Sequence, residues 1–243
     1  MNLRTKLSFY SAINVIFLLL NGCNSEQYGY PSEGSQMVQT SLTPLTQKRL
    51  EVIPFKDSRP LNANSDWFFL WLVPLFPYGF GDYQRPEKAD FFTSISDYKF
   101  DPSRDLARAV SSSLEQSNIF SQVQYRNSQG KFEADYLLSG EIHSTRYTGR
   151  RISYCSSFLT VIWWTLGAPL GTNYNNISFT LTLTSKAGDI VWQYTGEESD
   201  YNVDWMYDSH DDCSMYPQLT SRILNKAVMD LYRKTLENPK ILD

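Results

Sequence analysis

The sequence has few of the residues on which most catalytic and metal sites depend. It contains two histidines and three cysteines among 243 residues. It has no Gly-x-Ser-x-Gly elbow, no phosphate-binding glycine-rich loop, no His-Glu-x-x-His helix and no dinucleotide fingerprint. These absences argue against the common hydrolase, nucleotide-binding and metalloprotease classes. We therefore expect a protein that is not an enzyme, with no cofactor, no metal and no catalytic residue.

A basic surface of the kind that binds nucleic acid is also missing. Lysine and arginine number 22 and aspartate and glutamate number 26, which gives a formal net charge of -4. The only basic cluster lies at residues 146–151, and we interpret it as the solvated end of a strand; the alternative is a contact with anionic lipid or an acidic partner. Without a basic stripe or an RNA-binding motif, we expect no nucleic-acid partner.

The first apolar run is too short for a permanent membrane span and instead has the features of an export signal. Residues 7–20 are mostly apolar, follow Arg4 and Lys6, and are fewer than the ~20 residues of a spanning helix. The run ends in Leu-Asn-Gly before Cys23, which resembles the lipobox of bacterial lipoproteins. The resemblance implies that residues 1–22 are removed and that Cys23 carries lipid, including palmitate. An ordinary signal peptide or a short anchor helix with an incidental cysteine is the alternative.

The composition after Cys23 predicts a flexible tether. Residues 24–47 are rich in Ser, Gln, Gly, Thr and Pro, and they bury too little surface to offset their ordering entropy. We therefore divide the chain into a signal peptide at 1–22, a lipidated tether at 23–48 and one periplasmic domain at 49–238. By resemblance to lipoproteins of Gram-negative bacteria, Asn24 favours anchoring in the outer membrane, with the domain on its periplasmic face.

The two other cysteines, Cys155 and Cys213, are a candidate disulfide. In an oxidising compartment, two thiols left over after lipidation of Cys23 are expected to pair. The alternative is two separate buried thiols. Neither cysteine belongs to a Cys-x-x-Cys motif, so we expect no redox catalysis.

The periodicity of the remaining sequence predicts an α+β domain. Apolar residues at helical spacing predict one helix that begins near residue 101 and another at about 217–236. Strands are predicted at residues 49–55, 119–125, 135–142, 177–184 and 190–194, the last two as a hairpin. The expected fold is a mostly antiparallel sheet with two helices packed on one face (β-α-β-β-β-β-α) and two apolar inserted segments.

Two short motifs support this order by resemblance to a known family. The sequence PFKD at residues 54–57 and the sequence DYLLSGEI at 135–142 are similar to motifs of CsgG-like and TolB-N-like periplasmic domains. The resemblance covers roughly residues 49–236. Many members are lipoproteins of envelope assembly or transport complexes, which implies envelope protein partners and homo-oligomers. The long alternating hairpins with which CsgG itself forms a pore are missing, so we expect no pore.

Two apolar segments, at residues 67–81 and 158–171, stand where polar loops are expected. One hypothesis is that they are exposed aromatic loops that dock on a membrane interface or on a partner. The alternatives are that they pack on each other and extend the core, or that they line a pocket for a lipid or small ligand. The candidate contact residues are Trp67, Phe69, Trp71, Phe76, Trp163 and Trp164.

The remaining chemically active residues are interpreted as structural. His210 lies between Asp208 and Asp212 in an acidic loop that lacks the glycine and distal glutamate of a calcium-binding loop. We interpret this loop as a solvated turn, His143 as a strand residue, and the acids at 197–200 as a polar edge.

These expectations combine into a functional hypothesis. The chain is predicted to be a non-enzymatic, membrane-anchored lipoprotein that serves as an accessory or structural subunit of a bacterial envelope assembly or transport complex. The alternative is a periplasmic lipoprotein that binds a lipid or small ligand between its two Trp-rich segments.

Overall fold

The computed structural model describes residues 28–31, 40, 43–60, 65–88, 99–127, 134–207 and 215–242. The strands in these ranges are β1 (Arg49–Val52), β2 (Lys56–Asp57), β3 (Ser65–Trp67), β4 (Tyr78–Tyr83), β5 (Gln122–Tyr125), β6 (Tyr136–Ser144), β7 (Tyr147–Ile152), β8 (Gly171–Ser185) and β9 (Ile190–Asp204). The α-helices are α1 (Pro102–Ser117), α2 (Thr160–Thr165) and α3 (Met215–Glu237). Short 3-10 helices lie at Phe68–Leu72, Pro86–Lys88, Ser157–Leu159 and Pro239–Leu242.

The nine strands form one sheet with β8 at its centre. β9 pairs with β8 on one side, while β6 and β7 share the other side of β8. Beyond β7 lie β4 and β3, and beyond β6 lie β1 and β5, with β2 also paired to β6. Only the pairs β1–β5, β1–β6 and β2–β6 are parallel. The sheet is therefore mostly antiparallel, and the predicted α+β class is confirmed.

Helix α1 has the boundary residues that its sequence predicts. Asp101 caps the helix by accepting a hydrogen bond from the Arg104 N–H at 3.3 Å, and Pro102 occupies the first turn. Asn118 ends the helix in the left-handed region, with φ 55°. The buried stripe of the helix includes Leu106, Val110 and Leu114.

Helix α3 packs on β8 and β9 and also contacts α1. A Cβ built on Gly196 of β9 would lie 2.3 Å from the Ile223 Cγ2 of α3, so the helix approaches the strand backbone closely. The inward residues of β8 are Ile177, Phe179, Leu181 and Leu183, whereas Thr180, Thr182 and Thr184 are only half-buried. This alternation is typical of an antiparallel sheet with one face on the core and one face toward solvent.

The hairpin of β8 and β9 is longer than predicted at the end remote from its turn. β8 begins at Gly171 rather than at residue 177, and β9 continues to Asp204 rather than to residue 194. The additional stretch buries polar residues: Asn173 is 1 % exposed, and its Nδ2 donates to Asp204 Oδ1 at 3.1 Å. Apolar alternation does not reveal this stretch because hydrogen-bonded amides occupy inward positions.

Part of the predicted tether packs against the domain. Tyr28 is 8 % exposed and stacks on Phe100, with 4.9 Å between ring centroids, and its N–H donates to the Lys99 carbonyl. Further along, the Leu45 N–H donates to the Asn118 carbonyl at 3.1 Å. The sequence predicts a flexible tether here because the segment has few aliphatic side chains. These residues pack on the domain nevertheless, because a single tyrosine ring supplies a large apolar area to bury.

A buried ionic cluster fixes the loop after β2. Arg59 is 4 % exposed, and its guanidinium donates to both carboxylate oxygens of Asp57 at 2.9 Å and to Glu87 at 2.7 and 3.1 Å. Arg85 forms a second ion pair with Asp57 at 3.0 Å, and the hydrogen bond from Arg59 lowers the pKa of the Asp57 carboxyl. Arg59 also donates to the Thr145 hydroxyl, so the cluster connects three separate stretches of chain.

Candidate functional site

Four strand ends meet at one end of the sheet. Tyr78 at the start of β4 pairs with Ile152 at the end of β7. Gly171 at the start of β8 pairs with Arg151 and also with Asp204 at the end of β9. The segments that adjoin these strand ends therefore lie side by side. We call residues 67–81, 153–170 and 205–207 the apolar tip.

The two Trp-rich segments pack on each other within the apolar tip. The rings of Trp71 and Trp164 lie 5.7 Å apart between centroids. Trp164 Nε1 donates to the Ile152 carbonyl at 3.1 Å, and the Ser153 N–H donates to the Pro77 carbonyl at 2.8 Å. The segments thus form one folded unit on the end of the sheet.

Two glycines permit the close packing at the base of the apolar tip. A Cβ on Gly79 would lie 1.9 Å from the Phe68 carbonyl oxygen, so the 3-10 helix Phe68–Leu72 rests directly on β4. A Cβ on Gly171 would lie 2.3 Å from the Arg150 carbonyl oxygen. Only glycine allows backbone to approach backbone this closely.

The outer surface of the apolar tip exposes large apolar side chains. Among the described residues, the exposed large apolar side chains lie in the tip or on the last positions of β9, apart from Ile190, Met229 and Leu236. Leu75 and Leu166 are 83 % and 74 % exposed. The exposed aromatic residues of the tip are Trp67, Phe69, Phe76, Tyr78, Phe158, Trp163, Trp205 and Tyr207.

No residue of the apolar tip is charged, and two arginines lie at its rim. The Arg150 guanidinium lies 5.5 Å from the centroid of the Tyr78 ring. The Arg151 guanidinium lies 5.7 Å from the Phe68 ring and 6.0 Å from the Trp164 ring. These distances are typical of cation–π contacts, which hold both guanidinium groups beside the aromatic surface.

The carboxylates near the rim are mostly neutralised or buried. Asp82 forms a bidentate ion pair with Arg146, at 2.6 and 2.9 Å. Asp204 is 6 % exposed and bonded to Asn173. Asp66 is exposed and accepts a hydrogen bond from the Phe68 N–H at 3.0 Å. Three arginines and three aspartates therefore stand at the rim, and within the described part of the chain only Arg146 of the three arginines is paired with a carboxylate.

The backbone of the apolar tip adopts unusual conformations. Leu75, Tyr154, Cys155 and Ser157 have φ angles of 72°, 49°, 57° and 52°. The left-handed region costs a non-glycine residue about 1–2 kcal/mol, and such residues cluster at functional sites. Hydrogen bonds compensate here, since the Ser157 hydroxyl donates to the Leu72 carbonyl across the two segments.

The structure divides the six predicted contact residues into two groups. Trp164 is buried and Trp71 is half-buried, and these two form the junction between the segments. The exposed members are Trp67, Phe69, Phe76 and Trp163.

Of the three cysteines, only Cys155 lies among the described residues. Cys155 is exposed in the turn after β7. The predicted lipid site Cys23, the predicted disulfide partner Cys213 and the acidic loop around His210 lie outside the described residues.

Sequence reasoning missed the third part of the apolar tip, residues 205–207, which it assigned to an acidic loop. The Tyr207 hydroxyl donates to the Thr165 carbonyl at 3.1 Å, which joins the end of β9 to α2. The alternation of apolar side chains from Tyr201 to Trp205 is a signal that could have extended the strand to this point.

The rest of the described chain offers little that indicates chemistry. It contains no group of three residues that could hold a metal ion, and none of its helices is long and apolar enough to cross a membrane. His143 lies on the polar side of the sheet with Nε2 2.8 Å from Thr180 Oγ1. A cavity of about 110 Å³, lined by Arg49, Glu51 and Gln122 among others, lies on β1 and β5, away from the apolar tip.

The fold and the site define an α+β protein with an apolar contact surface at one end of its sheet. No protein-family model and no curated protein sequence matches the chain. The resemblance to CsgG-like and TolB-N-like domains stays a prediction.

Three solved structures are distantly similar. Protein XCC0632 from Xanthomonas campestris, of family DUF330, is 12 % identical with a TM-score of 0.42, over 84 % of this chain and 93 % of that one. A PelC dodecamer from Paraburkholderia phytofirmans is 13 % identical with a TM-score of 0.35, over 78 % and 93 %. An uncharacterized protein is 10 % identical with a TM-score of 0.36, over 87 % and 99 %. Similarity at this level carries no functional argument.

Proposed function

We propose that this chain is a non-enzymatic lipoprotein of the bacterial envelope that is anchored through Cys23 and works through its apolar tip. In this proposal it is an accessory or structural subunit of an envelope assembly or transport complex. It is held in the outer membrane with its domain in the periplasm. The observation that carries the proposal is the uncharged, exposed aromatic surface at one end of the sheet.

The size of that surface supports a contact role. Eight aromatic side chains of the apolar tip are each 40 % exposed or more. An aromatic side chain has a surface of about 150–250 Å². Eight such side chains, each about half exposed, therefore leave roughly 800 Å² of surface accessible to water. The largest apolar patch on a typical monomer is about 300–600 Å², and larger patches mark contact sites. Leaving such a surface in water would favour aggregation, so it is expected to be covered in the cell.

The packing inside the apolar tip favours a contact surface over a ligand pocket. Trp71 and Trp164 face each other at the junction of the two segments, so their rings fill the space that a pocket between the segments would occupy. Eight other aromatic side chains of the tip are 40 % exposed or more, so they are open to solvent rather than enclosed. Ligand sites are usually concave.

The proposal is tested by locating the anchor and the partners in cells. Mass spectrometry of the N-terminal peptide is expected to find acylated Cys23, and Cys23→Ala is expected to stop maturation or release the chain from the membrane fraction. Affinity capture of the natively lipidated protein from detergent-solubilised membranes is expected to recover the same envelope proteins in repeated preparations. Unmodified Cys23, or no reproducible envelope partner, would contradict the proposal.

A further inference from the structure

We propose that the apolar tip contacts a phospholipid bilayer, namely the bilayer that holds the lipid on Cys23, and that Arg150 and Arg151 contact its headgroup phosphates. The inference rests on the proposed function, since it takes the lipid on Cys23 from it. It adds the partner of the apolar tip and the orientation of the domain on the membrane.

The chemistry of the apolar tip fits a bilayer interface better than a protein surface. A protein interface forms about one hydrogen bond between the partners per 100–200 Å². Polar groups that enter a bilayer must instead find their hydrogen-bond partners within the protein. The hydroxyl groups of the second segment donate to carbonyls in the tip or in the adjoining strand. They belong to Ser153, Ser156, Ser157, Thr160 and Thr165. Trp and Tyr, with an apolar ring and one polar group, are enriched at membrane interfaces.

The two rim arginines have the geometry for phosphate contacts. Among the described residues, neither Arg150 nor Arg151 forms an ion pair, while the neighbouring Arg146 is paired with Asp82. The guanidinium groups lie over the Tyr78 ring and over the Phe68 and Trp164 rings, and each guanidinium carries five N–H donors. Arginine binds phosphate through such donors in a bidentate manner.

The docked N-terminal segment limits where the lipid can lie. Cys23 precedes the buried Tyr28 by five positions, and five extended residues span at most about 17 Å. A flexible tether of the predicted length would leave the orientation of the domain free. Burial of Tyr28 shortens the effective tether to these few residues.

The position of Tyr28 places this short connection near the apolar tip. Its ring lies 4.9 Å from Phe100, which lies 5.4 Å from Tyr216. The neighbouring Met215 Sδ is 2.8 Å from Asn202 Nδ2, and Asn202 is two positions from the end of β9 at the base of the tip. The opposite end of β9 is twelve positions away, which is about 40 Å. Tyr28, where the short connection ends, is therefore linked through Phe100 and Tyr216 to the tip end of β9, and we place the lipid at this end.

These constraints give the lipid and the apolar tip separate roles. The lipid on Cys23 supplies the anchorage, and the apolar tip fixes the angle at which the sheet stands on the membrane. Its half-exposed rings enter the headgroup region as a shallow, non-spanning contact.

The experiment uses the natively lipidated protein in vesicles of phosphatidylethanolamine and phosphatidylglycerol, with or without bromine on the acyl chains. Bromine quenches tryptophan only within the bilayer. Five of the six tryptophans lie in the apolar tip, and the sixth, Trp192, is 4 % exposed in the core. Because Trp67, Trp163 and Trp205 face outward, brominated vesicles are expected to quench about half of the fluorescence.

Matched variants keep all six tryptophans. Phe69→Ser with Leu75→Ser removes two exposed apolar side chains of the tip and is expected to reduce the quenching several-fold. Ile190→Ser with Leu236→Ser removes two equally exposed side chains elsewhere and is expected to leave it unchanged. Arg150→Gln with Arg151→Gln is expected to reduce the quenching in these vesicles, because the variant loses its contacts with the headgroup phosphates.

Three outcomes would overturn the inference. Equal fluorescence in plain and brominated vesicles, with Cys23 acylated, would place the apolar tip away from the bilayer. If the tip tryptophans are shielded from acrylamide but not quenched by bromine, and the chain cross-links as a dimer, the tip contacts a second copy of the chain instead. Unmodified Cys23, which mass spectrometry detects before reconstitution, would remove the anchor and contradict the proposed function as well.

Discussion

At the residue scale, the arginines of this chain occupy two different environments. Arg59 is buried and bonded to two carboxylates, whereas Arg150 and Arg151 lie beside aromatic rings at the rim of the apolar tip. In the first environment the partners are required, because a buried charge is tolerated only when it is paired. The second leaves the charge available for an external anion.

Removal of the Arg59 guanidinium is expected to destabilise the domain strongly. Arg59→Ala leaves the half-buried Glu87 carboxylate without the Arg59 guanidinium and Asp57 with its Arg85 ion pair, at an expected cost of about 2–3 kcal/mol. Urea unfolding measures the difference. Arg233→Ala, which removes an exposed ion pair with Asp230, is the matched control and is expected to cost under about 1 kcal/mol. Equal effects of the two substitutions would contradict the assignment.

The same cluster predicts a stability loss in acid. The hydrogen bond from Arg59 lowers the pKa of Asp57 in the folded protein, so the Asp57 carboxylate stabilises the fold above its ordinary pKa of about 3.9. This contribution is lost as the pH falls through the lowered folded pKa. Asp57→Asn is therefore expected to reduce the free energy of unfolding more at about pH 6 than at about pH 2.5. A difference independent of pH would argue against this ion pair.

At the scale of elements, the apolar tip and the core depend on different close contacts. Gly79 lets the 3-10 helix Phe68–Leu72 rest on β4, while Gly140 lets the Phe55 ring cover β6 at 2.6 Å from a built Cβ. Both are strand glycines, yet one supports the candidate contact surface and the other supports the hydrophobic core.

A pair of glycine substitutions separates these two roles. Gly79→Ala is expected to displace the 3-10 helix and to change the near-ultraviolet circular dichroism and acrylamide quenching of the tip tryptophans, while most of the unfolding free energy remains. Gly140→Ala overpacks the core and is expected to cost about 1–3 kcal/mol with little change in tip quenching. If Gly79→Ala leaves the tryptophan signals unchanged, the tip packing described above is incorrect.

At the scale of the whole molecule, the N-terminal segment connects the predicted anchor to the folded domain. Tyr28 completes a stack with Phe100 and Tyr216 beside α1 and α3. In the proposed arrangement, the orientation of the domain on the membrane depends on a residue far from the apolar tip in sequence.

Loss of the Tyr28 ring is expected to release this segment. Tyr28→Ala removes a buried aromatic side chain and is expected to reduce the free energy of unfolding by about 2–4 kcal/mol. Limited proteolysis is expected to cut the variant after the anchor much faster than the parent chain. Tyr28→Phe keeps the stacked ring and is the control, with a small expected effect. Equal protease resistance of the alanine variant would mean that the segment is held by other contacts.

Local patterns were sufficient for the regular elements with strong periodicity. Helix α1 and its caps, helix α3 and the hydroxyl-alternating part of β8 follow from residues close in sequence, such as Asp101 and Asn118. Strands β3, β4 and β7 were not predicted, because β3 and β4 flank an apolar run with no period and β7 contains Gly149 and two arginines. Their strand conformation results from pairing with distant neighbours.

By itself, the sequence determined that the domain is α+β and that two Trp-rich segments required an explanation. It left open whether those segments are exposed or buried. The tertiary structure shows that some of these residues are packed and others are exposed. Trp71 and Trp164 pack on each other and join the segments, while Trp67 and Trp163 are exposed. The physical reason is that β4, β7, β8 and β9 end together, and only strand register brings residues 67–81, 153–170 and 205–207 to one surface.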